Sequence, residues 1–244
     1  MSQHPLQARA AGTGRARQFA VLLGLLVLTC GILLMLGVAL TLRMPVSLLT
    51  RNLDVPPAVL ALQGSPMAGQ ARLEGGYALK WESAIKMLPL PHLRTDLSLE
   101  GADTRLSGWG RTGFRGIGLY GASGRAGLGL AALVPGAWAC DMTATVRDVS
   151  LFWGWQRAEA GGAVTTPKGV CAKETREVMV PALRLDLAGQ GMDALARLSV
   201  EGAGEIAQIR LGRARLLDIA IKPAAADIFP ALPRGGPVHL QLPF

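Results

Sequence analysis

The sequence predicts an all-β protein with an N-terminal single transmembrane helix, and three observations predict it. Residues 18–42 carry no charged side chain. From about residue 70, apolar and polar residues alternate in short runs, which is typical of strands that bury one face. Glycine-rich turns separate these runs, and glycine makes up 31 of the 244 residues. We therefore expect a mainly antiparallel, curved or sandwich-like β domain after the helix.

The uncharged run from Gln18 to Leu42 is long enough to cross a bilayer. At about 1.5 Å per residue its helix reaches roughly 37 Å, against a hydrocarbon core of about 30 Å. A cleaved secretory signal has the same order of basic and apolar residues, but its apolar core is only about 7 to 15 residues long. We therefore interpret the run as a retained anchor.

The charges that flank the run predict its orientation. The tail, residues 1–17, contains three arginines and no acidic residue, which predicts a cytoplasmic location by the positive-inside rule. The expected division is a cytoplasmic tail at 1–17, a transmembrane helix at 18–42, a connector at 43–69 and a periplasmic β domain at 70–244. The expected location is the bacterial inner membrane, with a single pass and the bulk of the chain in the periplasm.

The alternating runs predict the strands of the outer domain. Each run places large apolar residues on one side and polar or small residues on the other. A short helical turn is expected at 224–229, because Pro223 precedes it and proline favours the first turn of a helix. The clearest alternating runs are Tyr77–Trp81, Leu97–Leu99, Val149–Trp155, Leu183–Leu187, Leu217–Ile221 and Val238–Phe244.

The charge distribution argues against a nucleic-acid partner. The formal net charge is +8, but the basic residues are scattered and do not form runs interleaved with aromatic residues. Cys140 and Cys171 lie in the outer domain, where an oxidising compartment allows a disulfide that closes a loop of about 31 residues. Two unlinked buried thiols are the alternative.

Short motifs do not indicate an enzyme. Residues 108–113 and 116–121 each fit G-x-G-x-x-G, but more glycine follows where a dinucleotide site needs a helix. Ser83–Lys86 fits S-x-x-K, yet the S-D-N and K-T-G partners of the penicillin-recognising enzymes are missing from the sequence. The three histidines show no metal-ligand spacing. We expect no catalytic residues, no cofactor and no metal site.

The aromatic run Phe152–Trp155 is the most distinctive apolar feature. Trp153 and Trp155 are expected to share one face and, with Leu151, to form an apolar contact strip. Core packing is the favoured explanation. A groove for a lipid chain or for a partner strand is the alternative.

Together, the tail, the anchor and the glycine-punctuated strands resemble the type II secretion system protein N family, the N component of the general secretion pathway. The resemblance implies a non-enzymatic accessory component of the inner membrane, without catalytic residues, whose partners are other secretion-system membrane proteins. The stretches that carry it are Gly76–Trp81, Trp153–Gly162 with Cys171, Val180–Pro181, and Lys222–Pro230 before Gly235–Pro237.

A second function is compatible with the same pattern. A curved antiparallel sheet lined with apolar side chains and tethered to the inner membrane is also expected of a lipid-binding or lipid-transfer protein of the AsmA-like or lipopolysaccharide-transport-like type. An anchored sheet with open edges, in contrast, suits the pairing of strands with a protein partner. Lipid content distinguishes the two hypotheses.

Overall fold

A computed structural model describes residues 28–33, 36, 57–133, 139–173, 176–212, 216–229 and 236–243. The chain divides into two compact units, Met1–Met44 and Pro45–Phe244. In the first unit the described residues, all within the expected transmembrane segment, are helical. The rest of that segment and the tail at 1–17 lie outside the described residues. Within the described part of the chain, no helix combines the length and the apolar character needed to cross a membrane.

The second unit is built almost entirely from antiparallel strands, which confirms the all-β prediction. The strands are β1 (Val59–Gly64), β2 (Ala68–Leu73), β3 (Ala78–Lys86), β4 (His92–Glu100), β5 (Arg105–Gly113), β6 (Gly116–Ala126), β7 (Ala139–Cys140), β8 (Ala144–Gly154), β9 (Ala158–Thr166), β10 (Gly169–Lys173), β11 (Arg176–Val180), β12 (Leu183–Gln190), β13 (Asp193–Val200), β14 (Gly204–Leu211), β15 (Leu216–Ile221) and β16 (Val238–Pro243).

Thirteen strands form one large sheet in chain order, and β7, β10 and β11 form a small side sheet. In the large sheet every strand pairs with the next one along the chain, except where the side sheet is inserted after β6 and after β9. Within the described residues, β1 and β16 pair on one side only. The large sheet is therefore a meander with two open edges.

The sheet begins earlier in the sequence than predicted. The expected connector, 43–69, contains all of β1 and the first two residues of β2. The register between these strands shifts between Val59 and Ala61, so the run lacks the clean alternation that marks the later strands. This shift explains why the sequence pattern did not predict β1.

The strand register separates apolar and charged side chains onto opposite faces. Leu79 lies opposite Leu99 and Trp81 lies opposite Leu97, and the same face continues across every later pair. Representatives of this apolar face, one from each strand, are Leu62, Ala71, Trp81, Leu97, Leu106, Leu119, Leu151, Val164, Leu185, Leu198, Ile209, Ile219 and Leu240. Every Asp, Glu, Lys and Arg in a paired position of the large sheet lies on the other face.

The sheet curls so that the apolar face is on the inside. Leu97 of β4 and Leu211 of β14 line the same cavity, whose volume is about 450 Å³. These strands are seven steps apart in the sheet order, which is roughly 34 Å in a flat sheet at about 4.8 Å per step. The two strands can share one cavity only because the sheet bends back on itself.

The outer face carries the charges, several of which are paired. Lys80 contacts Glu100 at 2.7 Å between neighbouring strands, and Arg94 contacts Asp96 at 3.1 Å along one strand. These pairs are solvent-exposed and therefore contribute little to stability. Arg94 also lies over the ring of Trp109, at 4.5 Å from its centroid. The outer face is a solvated polar surface.

One end of the curled sheet is closed by packing, and we call it the capped end. Here a single helical turn, Ala225–Ile228, packs against a cluster that contains Val200 and Ile206. The turn falls within the predicted 224–229, so that prediction is confirmed. The insertions that carry the side sheet leave the large sheet at this same end, after Ala126 of β6 and Thr166 of β9.

A hydrogen-bonded carboxylate also stabilises the capped end. The hydroxyl of buried Tyr77 donates to Asp103 Oδ1 at 2.7 Å, and the backbone N–H of Gly129 donates to Asp103 Oδ2 at 2.9 Å. These donors, with the Gly129 N–H the stronger, hold the pKa of Asp103 below its usual value. Burial, and next the bond to Asp103, raises the pKa of Tyr77.

The Asp103 carboxylate makes the stability of the folded chain depend on pH. Because the pKa of Asp103 is lower in the folded chain than in the unfolded chain, its contribution is complete above the unfolded value of about 3.9 and disappears as pH falls through the folded value. We expect Asp103→Asn to lower stability at neutral pH and to flatten its decline below about pH 4. Urea unfolding at a series of pH values measures both effects. Parallel declines for the two proteins would contradict this role of Asp103.

Candidate apolar ligand site

The cavity on the inner face of the curled sheet is the candidate site. Its wall is formed by residues of β4, β5, β6, β8 and β9, with Leu211 of β14 facing them, and it includes two charged residues, Arg111 and Glu159. Leu151 lies between Leu119 and Ala160 on the neighbouring strands, and Trp153 lies opposite Ile117. Its volume of about 450 Å³ is within the range of small-molecule sites, about 300 to 1,000 Å³.

The polar side chains on this face are few; some are hydrogen-bonded, whereas the buried hydroxyl of Thr166 has no hydrogen-bond partner in the described part of the chain. The hydroxyls of Ser83 and Thr95 are hydrogen-bonded at 2.9 Å, and Trp81 Nε1 donates to the carbonyl oxygen of Ser65 at 3.0 Å. The wall therefore offers dispersion contacts and few polar groups. Such a surface fits a ligand that is apolar along its length, since a charged ligand would lose its hydration without a partner.

The structure brings together two of the three residues predicted to form an apolar strip. Leu151 and Trp153 both line the cavity, and Leu151 remains 42% exposed. Trp155 does not share their face, because β8 ends at Gly154, whose N–H donates to the carbonyl oxygen of Arg157 across a turn at 3.0 Å. Trp155 is instead 87% exposed. The prediction of a three-residue strip is wrong at Trp155.

The predicted disulfide is confirmed. Cys140 and Cys171 are bonded, with their Cα atoms 4.0 Å apart, and they lie opposite each other in the pairing of β7 with β10. The bond joins the insertion after β6 to the insertion after β9, and so it holds the side sheet together at the capped end. Cys30 is a free, exposed cysteine in the described helical residues.

Most of the cavity wall was not predicted as a site. Alternation around Leu97 predicted a strand, and the structure confirms that strand as β4. No sequence signal connects Leu97 with Leu119 or with Leu211, because these residues meet only when the sheet curls. The two G-x-G-x-x-G matches lie within β5 and β6, in agreement with their interpretation as strand glycines. Among the described residues, no group of three or more potential metal ligands occurs.

Neither a protein-family model nor a curated protein nor a solved structure matches the chain.

Proposed function

We propose that this chain is a non-enzymatic protein that binds an elongated apolar ligand, the acyl chains of a lipid, on the inner face of its curled sheet. The observation that carries the proposal is the separation of charge: the paired positions of the inner face hold no Asp, Glu, Lys or Arg. A soluble sheet of this size normally buries such a face under a second layer. A bound acyl chain would supply that layer.

The distribution of buried hydrophobic residues in the unit Pro45–Phe244 supports this proposal. In the described part of the chain, twelve hydrophobic residues are buried, and several of these lie at the capped end, among them Tyr77, Val200 and Ala225. Large side chains on the inner face, such as Leu151, remain partly exposed. Each methylene group of a ligand that covers them gains about 0.8 kcal/mol. We propose that residues 18–42 anchor the chain in the inner membrane, close to a supply of lipid.

Site-specific photo-crosslinking in cells tests this function. Benzoylphenylalanine in place of Leu97 faces the cavity, whereas the same residue in place of Ser98 faces outward from the same strand. We expect irradiation to attach phospholipid to the full-length chain at position 97 and not at position 98, as measured by intact mass. Equal labelling at both positions, or no lipid at position 97, would exclude the proposed ligand.

A second candidate function is that of an accessory component of the type II secretion apparatus, which contacts other secretion proteins in the periplasm. Two open strand edges, β1 and β16, favour it, because an open edge can pair with a partner strand. The resemblance to the protein N family supports the same assignment. We expect a tagged full-length chain to co-purify with secretion proteins and its loss to impair export. If neither occurs, this function is excluded.

A further inference from the structure

Of the hairpin turns that the structure describes in full, five lie at the end opposite the capped end. The register shows that the turns after β1, β3, β5, β8 and β12 share this end. Three of them also line one small cavity of about 80 Å³, which Leu90, Phe114 and Arg157 contribute to, each from a different turn. We call this end, defined by residues 65–67, 87–91, 114–115, 155–157 and 191–192, the apolar end.

Large apolar side chains extend from the tips of these turns into solvent. Leu88 is 85% exposed, Phe114 is 80% exposed, and Trp155 is exposed to a similar extent. Met87 and Met192 in neighbouring turns are exposed as well. The turns at the capped end instead have small or acidic residues, as in 74–76 and 201–204. The two ends of the sheet therefore differ in chemistry.

Basic residues flank these apolar tips. Lys86 immediately precedes Met87, Arg115 follows Phe114, and Arg157 ends the turn that contains Trp155. The turns of the apolar end contain no Asp or Glu, and the acidic residue that flanks one of them is Asp193, directly after Met192. The small cavity between three of the turns is lined by Arg111, Arg115 and Arg157, with Glu159 as its acidic group, and Arg157 contacts Glu159 at 3.0 Å. The charge of this end is complementary to an anionic surface.

We infer that the apolar end docks on the surface of an anionic lipid bilayer. Aromatic and aliphatic tips with basic residues next to Met87 and Phe114 and at the end of the Trp155 turn match the interfacial zone, where amphipathic rings and acyl chains mix with charged headgroups. A protein partner would instead favour one continuous apolar patch. The arginines around the small cavity would contact headgroup phosphate, for which guanidinium is well suited.

The ligand cavity lies near the apolar end, so docking of this end would bring the cavity close to the bilayer. Ile117 and Trp153, which line the larger cavity, lie within two residues of the turns at 114–115 and 155–157. At the capped end, the helical turn packs against its cluster. A docked apolar end would therefore place Ile117 and Trp153, and the part of the cavity that they line, close to the bilayer. Docking itself does not depend on the proposed ligand, and it is tested separately.

An environment-sensitive fluorophore at the tip tests the docking. The full-length chain with Cys30→Ser and Phe114→Cys, labelled with a nitrobenzoxadiazole group, is reconstituted in vesicles of phosphatidylcholine containing about one third phosphatidylglycerol. We expect the fluorescence emission of the label to rise by more than about twofold and to shift to the blue. The rise can occur in either of two vesicle arrangements: on reconstitution of the chain, or when protein-free vesicles are added to the reconstituted chain. High salt should reduce the rise.

Matched variants make each outcome decisive. Met179 of β11 is 77% exposed and lies in the side sheet, so Met179→Cys with the same label should not respond. Arg115→Gln together with Arg157→Gln should weaken the response at position 114. No rise in either vesicle arrangement, an equal rise without phosphatidylglycerol, or a rise only after adding membrane proteins would each overturn the inference. Lipid labelling at position 97 could persist in all three cases, so the two proposals can fail independently.

Discussion

Replacing Leu151 by aspartate is expected to remove lipid from the full-length chain, with at least a tenfold loss of lipid labelled at position 97. Leu151 lies in the cavity wall between Leu119 and Ala160. A carboxylate there would be covered by an acyl chain without a partner, at a cost of several kcal/mol, and each 1.4 kcal/mol is about a factor of ten in affinity. Without ligand the carboxylate remains hydrated, because this position is partly exposed.

Thr145→Asp is the matched control for this experiment. Thr145 lies on the same strand but on the outer face, opposite Arg125 of β6. An added carboxylate is favourable there because it lies across from a base. We expect this variant to retain the lipid of the unmodified chain, as measured by the same intact-mass assay. Equal lipid in the two aspartate variants would contradict a ligand on the inner face.

Loss of the disulfide is expected to produce the largest change in stability. Replacing Cys140 and Cys171 by serine removes a crosslink that spans 31 residues, which constrains the unfolded chain by about 3 to 4 kcal/mol in the chain-entropy model. The side sheet depends on it further, because β7 is only two residues long and, among the described strands, pairs with β10 alone. Urea unfolding with and without reductant measures the effect.

A single variant and a local probe complete this test. Cys30→Ser alone should leave the unfolding curve unchanged, since Cys30 does not take part in the bond. Hydrogen exchange should accelerate first in β7, β10 and β11 once the bond is removed, because in the described part of the chain these strands form a separate small sheet. An unchanged unfolding midpoint in the double serine variant would show that the crosslink adds nothing to stability.

Strand β8, which contains most of the aromatic run, shows which structural features the sequence pattern predicts and which it does not. Alternation correctly predicted a strand through Leu151 and Trp153, since period two is a local property of the backbone. It could not predict the end of that strand at Gly154. The turn that excludes Trp155 is set by pairing with β9 and by the Gly154–Arg157 hydrogen bond. The residue at which a strand ends depends on its pairing with neighbouring strands, so the alternation in the sequence does not predict it.

The sequence by itself determined the antiparallel all-β class, the six strands with the clearest alternation (β3, β4, β8, β12, β15 and β16) and the two cysteines that pair. Each depends on local alternation, turn residues or the chemistry of one compartment. Only the tertiary structure decided that the paired positions of one face are free of charge across thirteen strands, that Leu97 and Leu211 share a cavity, and that five of the described turns lie at one end. These features arise from the register and curl of the whole sheet. The curl results from many small twists and bulges, and no short stretch of sequence specifies their total.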